Sequence, residues 1–193
     1  MFSCRTAFAE GFVRPSAWYL DYTASGLPSK GGVSVAMGAS LDSAKHHELS
    51  VEVAHAPWSW NKQGGFAGLG WTGSGHITPV SLNYRYSFRD ETARARFYIG
   101  GSGGVSKLSG DVLFTGSGAR YGGPVDKTQA AWGATAGISG ALTSALSYDV
   151  GYRYLHTDGF DVSTTVGATS AGPKIQFPNT SAHILALSLN VRF

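Results

Sequence analysis

From residue 181 to the end of the chain, large apolar residues fall on every second position: Leu185, Leu187, Leu189, Val191 and Phe193 alternate with Ala186, Ser188, Asn190 and Arg192. A strand sends successive side chains to opposite faces, so this segment has one greasy face and one polar or small face, with Ile184 the exception. The same period of two recurs along the chain. No apolar run reaches the roughly 18–20 residues of a membrane-crossing helix. Charged residues are only 14% of the chain, fewer than a soluble α/β enzyme keeps on its surface, and glycine numbers 27. The net charge is +3 and the arginines alternate with apolar residues instead of forming a basic patch, so no nucleic-acid partner is expected. Cys4, the single cysteine, cannot close an intramolecular disulfide.

Alternation predicts eight strands, at 17–24, 32–41, 47–56, 77–88, 92–105, 129–141, 144–156 and 181–193. In the first, Trp18, Leu20 and Tyr22 form the apolar set against Tyr19, Asp21 and Thr23. In the second, Val33, Val35, Met37, Ala39 and Leu41 oppose only Gly, Ser and Ala, which suits the crowded inside of a narrow barrel. The connections after the second, fourth and sixth strands are a few residues long, and those at 57–76, 106–126 and 157–180 are about twenty. Short turns at one end and long loops at the other, with an even strand count, describe an all-β, eight-stranded antiparallel up-and-down transmembrane β-barrel with short periplasmic turns and long outer loops. Ala7-Phe8-Ala9 has the small-x-small form of a signal-peptidase site. Residues 1–15 are therefore read as an N-terminal segment carrying the remnant of a signal peptide, and 16–193 as the barrel.

The ordered set Ala17-Trp18-Tyr19-Leu20, Leu82-Asn83-Tyr84-Arg85-Tyr86-Ser87-Phe88, Val150-Gly151-Tyr152-Arg153-Tyr154 and Leu187-Ser188-Leu189-Asn190-Val191-Arg192-Phe193 resembles the small eight-stranded outer-membrane β-barrels, the OmpA-type and opacity-type porin-like barrels. The resemblance implies the outer membrane of a Gram-negative-type bacterium. It also implies that Leu189, Val191 and the terminal Phe193 form a signal read by the barrel-assembly machinery.

In such a barrel the face opposite the apolar one points into a lumen that side chains about fill. Asp21, Glu48, Glu52, Arg85, Arg94, Arg96, Asp149, Arg153 and Arg192 are then expected to form an interior charge network, four acids against five arginines. Two readings follow: a polar core that holds the barrel shut, or an ion path opened when a Glu–Arg pair exchanges partners.

Catalysis finds little support. A lipid A deacylase of the outer-membrane type, which Arg153-Tyr154-Leu155-His156 resembles, needs a serine two residues after the histidine, and Asp158 stands there. His46-His47 are adjacent on a strand and point opposite ways, so they make an awkward metal pair, and no other histidine has ligand spacing. Gly100-Gly101-Ser102-Gly103-Gly104 is followed by no helix and is not a phosphate loop. No enzyme, cofactor or metal is expected.

The glycine-rich stretch holding Trp58, Trp60 and Trp71 reads as an aromatic outer-loop surface for a protein partner, and Lys62, Lys107, Arg120, Lys127 and Lys174 are placed to meet lipopolysaccharide phosphates. The expected function is structural or surface interaction, with outer-membrane lipid and lipopolysaccharide as surroundings. A narrow channel for small or apolar solutes is the alternative, and a lipid A-modifying enzyme a more distant one.

Overall fold

The computed structural model describes residues 10–22, 30–63, 70–88, 95–116, 119–166, 170–177 and 179–193. The described residues form ten strands: β1 (Gly11–Tyr22), β2 (Lys30–Ser40), β3 (His47–Gln63), β4 (Gly70–Ser87), β5 (Arg96–Gly116), β6 (Ala119–Ala141), β7 (Leu146–Thr157), β8 (Phe160–Val166), β9 (Ser170–Phe177) and β10 (Thr180–Arg192). Eight of them close an antiparallel barrel in the order β1-β2-β3-β4-β5-β6-β7-β10, with β10 returning to β1. The hairpin β8–β9 stands outside the ring and touches β6 through Tyr121↔Val166 and Gly122↔Thr165.

Period two decides which side chains face the lumen. On β10, Ala182, Ile184, Ala186, Ser188, Asn190 and Arg192 are buried, while Leu187 is 62% and Phe193 75% exposed. Val33, Val35, Met37, Val51, Val53, Leu82, Phe97, Ile99 and Val150 continue the exposed apolar belt around the barrel. From Leu185 to Phe193 the belt spans eight strand rises, roughly 26 Å of strand at about 3.3 Å each. At a tilt of about 40° that is roughly 20 Å of height, close to the apolar band of a transmembrane barrel. An exterior this continuous in apolar side chains is a surface for hydrocarbon and not for water.

Two prolines interrupt the ladders. The β1–β10 pairing passes from Val13↔Val191 to Ser16↔Ser188, skipping Pro15, and β3–β4 passes from Val53↔Val80 to Ala56↔Ile77, skipping Pro79. Proline has no N–H to give to a ladder, so each leaves a gap without shifting the register.

The structure corrects the expected faces and bounds in several places. β1 begins at Gly11, five residues before the expected barrel start at Ser16. Trp18, Leu20 and Tyr22 point into the lumen and Asp21 points out, the reverse of the sequence reading. The cause lies in the neighbours: Trp18 pairs with Ala186 and Gly32, and Leu20 with Ile184. Opposed residues of a ladder share a face, so small partners inside leave room for the large rings. A Cβ on Gly32 would stand 3.1 Å from Leu20 Cδ1 and 2.9 Å from Ala56 Cβ.

The expected long loops are largely strand. The β3–β4 ladder continues to Gln63↔Gly70, β5–β6 continues to Gly116↔Ala119, and 157–180 contains β8 and β9. Glycine-rich sequence hid these extensions, because glycine weakens the strand signal while cross-strand pairing holds the backbone extended.

Candidate functional site

The lumen is built in layers. At the short-turn end, Glu48 opens β3 and is 1% exposed. Arg14 reaches its carboxylate at 2.6 Å, Arg192 at 3.2 Å, and Arg85 and Arg96 at 3.3 Å each. Arg85 also pairs with Asp149 and lies 3.8 Å above the ring of Tyr98, whose hydroxyl donates to Asp149 at 2.6 Å. Gly137 and Gly151 give Tyr98 its space, since a Cβ on either would come within 2.4 Å of the phenolic oxygen. Arg96 Nε donates to Ser139 Oγ at 3.1 Å, and its guanidinium donates to the Lys45 carbonyl at 3.2 Å. Four residues further along β3, Glu52 pairs with Arg153 at 2.9 Å and accepts from Ser34 Oγ at 2.7 Å and Asn83 Nδ2 at 3.2 Å.

The structure therefore brings together Glu48, Glu52, Arg85, Arg96, Asp149, Arg153 and Arg192. Asp21 lies on the exterior, which corrects its place in the expected interior network, and Arg94 lies outside the described residues. Sequence reasoning missed Arg14 and Tyr98. Arg14 was hidden because the first strand was begun too late; carried back to Phe12, the same alternation puts Phe12, Arg14, Ser16 and Trp18 on one face.

The void inside this network is about 40 Å³, bordered by Arg14, Glu48, Glu52, Arg85, Asp149 and Arg153. That is room for an ordered water or two, which suits polar walls. Above it the lumen turns apolar: Trp18, Leu20, Tyr22, Ala54, Ala56, Ala131, Leu155, Ala182, Ile184 and Ala186 pack together, with Ile77 against them. The gap left in this layer is about 20 Å³. Arg153 lies 5.2 Å from the Trp18 ring and joins the two layers by a cation–π contact.

A third layer continues into the strand extensions, where Trp58, Val112, Val125 and Val162 pack with Ile77, Leu108 and Phe160. Trp58, expected on a loop surface, is instead 6% exposed inside this layer. Trp60 and Trp71 lie in the β3–β4 ladder opposite Gly73 and Lys62, and their side chains are outside the described residues. Leu189, Val191 and Phe193 face outward at the end of β10, where the Phe193 amide donates to the Gly11 carbonyl at 3.0 Å.

In the short turn between β2 and β3, Asp42 accepts from the backbone amides of His47 at 2.7 Å and His46 at 3.1 Å. Desolvation pushes its carboxyl up, but these amide bonds and the nearby imidazoles outweigh it and hold it below the usual aspartate value. On the exterior, His156 Nδ1 meets Ser181 Oγ at 3.0 Å, a partner on the neighbouring strand and not the residue two positions on. Among the described residues no carboxylate hydrogen-bonds His156, and the surrounding strand amides are engaged in ladders.

No family model matches the sequence, and no curated protein matches it. Solved structures do match in fold. Neisserial surface protein A superposes with a TM-score of 0.61 at 17% identity, over 95% of this chain and 97% of that one. The outer membrane protein OprG of Pseudomonas aeruginosa gives 0.55 at 12%, over 96% of each chain. The attachment invasion locus protein Ail of Yersinia pestis gives 0.52 at 11%, over 96% of this chain and 99% of that one. With its closed antiparallel ring, apolar exterior and filled lumen, the chain has the fold of the small eight-stranded outer-membrane β-barrels.

Proposed function

We propose that this protein is a closed outer-membrane anchor of a Gram-negative-type bacterium, without enzymatic activity, which holds a strand-built extension above the membrane for surface interaction. The observation that carries this reading is the layering of the lumen. A hydrated ion entering from the short-turn end meets a salt-bridged layer with about 40 Å³ of space, then an apolar layer with about 20 Å³. The lower layer is polar but filled by paired side chains, and the upper one offers an ion no polar lining, so the two together close the lumen to it. Beyond them β3, β4, β5 and β6 run on past the ends of β1, β2 and β10 as a paired sheet, with β8–β9 on its flank.

A surface made of paired strands keeps its shape before a partner arrives, and this lowers the ordering cost of binding. Lys107 and Lys174 are exposed on this extension, Lys107 paired with Asp126 at 3.3 Å, and they suit contact with lipopolysaccharide phosphates or an anionic protein. Leu189, Val191 and Phe193, apolar and outward on the last strand, suit recognition by the barrel-assembly machinery. An esterase at His156 is disfavoured because, among the described residues, no carboxylate orients it and the strand amides around it are held in ladders.

Planar-bilayer recording of the refolded protein tests the reading. The expected trace is flat, apart from rare unresolved leak. Recurrent unitary steps of one amplitude would replace the anchor by the narrow channel.

A further inference from the structure

The lumen carries more positive than negative charge. Arg14, Arg85, Arg96, Arg153 and Arg192 stand against Glu48, Glu52 and Asp149, which leaves two positive charges in excess among the described residues. Each carboxylate is already surrounded by donors. Glu48 meets four guanidinium groups, Asp149 meets Arg85 and Tyr98, and Glu52 meets Arg153, Ser34 and Asn83. Charge left uncompensated away from water is costly, so an excess of this kind calls for a counter-ion.

Donors without acceptors mark its place. Pro15 interrupts the β1–β10 ladder between Val13↔Val191 and Ser16↔Ser188, and Arg14 and Asn190 occupy the opposed inward positions of that gap. Asn190 is 2% exposed, and neither end of its side-chain amide has a hydrogen-bond partner among the described residues. Arg14 Nε has none either, while Nη2 of the same guanidinium holds Glu48. Arg14 and Ser188, the next inward residue of β10, both border the void of about 40 Å³. Opposed residues of an antiparallel pair stand about 4.5–5.5 Å apart at Cβ, so the Arg14, Asn190 and Ser188 donors reach one corner of it.

The donor set and the space select the occupant. N–H and O–H donors, with every bordering carboxylate paired, suit an anion and not a metal cation. Room near the roughly 30 Å³ share of a water suits a monatomic one. We infer that the lumen binds one chloride ion at the Arg14–Asn190 corner, as a structural counter-ion of the arginine layer. The site lies inside the barrel and is independent of what the extension meets above the membrane.

The test refolds the full chain into detergent micelles from chloride-free urea, with sodium gluconate, chloride or bromide at one ionic strength. Gluconate is too large for the void and serves as the reference. One ion bound to the folded state alone lowers the unfolding equilibrium constant about tenfold for each tenfold rise in chloride above half-saturation. Bromide should act as chloride does, and crystals grown in bromide should show an anomalous peak within hydrogen-bond reach of Arg14 Nε. Asn190→Leu, which removes the amide at similar volume, should raise the half-saturating chloride concentration about tenfold, a lost hydrogen bond to a charge. Arg14→Gln, which removes one of the excess charges, should raise it too. Identical unfolding in chloride and gluconate overturns the site, and so does a chloride dependence unchanged by Asn190→Leu. Bromide peaks confined to the outer surface overturn it as well, as an adventitious ion only. If Asn190→Leu does not refold, the salt comparison and the bromide map of the unaltered chain decide alone.

Discussion

Replacing Glu48 by Gln removes the one carboxylate shared by Arg14, Arg85, Arg96 and Arg192. Arg85 keeps Asp149, whereas Arg14 and Arg96 keep no carboxylate among the described residues. Arg96 is 3% exposed, so bulk solvent does not screen its charge. Leaving buried charge uncompensated in this way costs about 3–5 kcal/mol. Glu52→Gln is the internal comparison. Its single cation, Arg153, has a side chain 18% exposed, and a glutamine oxygen can still accept from Ser34 and Asn83. That change should cost about 1–2 kcal/mol. The gap of about 2–3 kcal/mol is roughly a 30- to 150-fold difference in the unfolding equilibrium. Urea unfolding in phospholipid vesicles, followed by tryptophan fluorescence and by the gel mobility of unboiled protein, measures both. Equal destabilisation by the two substitutions would refute the assignment of Glu48 as the hub. Unitary conductance in Glu48→Gln would refute the closure of the lumen instead, because the apolar layer above should still block it.

Three further outcomes follow from the same architecture. Asp42→Asn should abolish an acid-dependent loss of stability: a carboxyl held low in the folded state stabilises above the ordinary aspartate pKa, and this is lost as pH falls below it. Unfolding midpoints between about pH 5 and 2.5 check this, with the wild-type curve falling and the asparagine curve flatter. A photo-crosslinking aromatic residue placed at Tyr19 should label acyl chains, and one placed at Trp18 should not; labelling from Trp18 and none from Tyr19 would restore the face assignment expected from sequence. Trp58→Ala should cost about 3–5 kcal/mol in the outermost layer. Its signature is faster hydrogen exchange confined to residues 56–63, 70–77 and 108–128, with the lower barrel unchanged.

The alternation of Leu185 to Phe193, the poverty in charge and the short-long rhythm of connections were enough to determine an eight-stranded barrel with an apolar exterior. These are properties of local periodicity, and periodicity is written in the sequence. Most of the charged lumen was legible for the same reason, since Glu48, Arg85, Asp149 and Arg153 sit on the inward phase of strands whose outward phase is plainly apolar.

Tertiary structure alone decided β1, where both phases carry large side chains and only the small partners Gly32 and Ala186 fix which one goes inside. It also decided that the upper lumen is apolar, a fact the sequence marked only by Ile184 on the unexpected face. Whether glycine-rich segments become loop or ladder depends on cross-strand hydrogen bonds, which have no local signature, so Trp58 moved from a supposed surface into a core. Four arginines drawn from β1, β4, β5 and β10 meet one glutamate of β3 because the ring closes. That convergence is a consequence of barrel closure, which no single segment encodes.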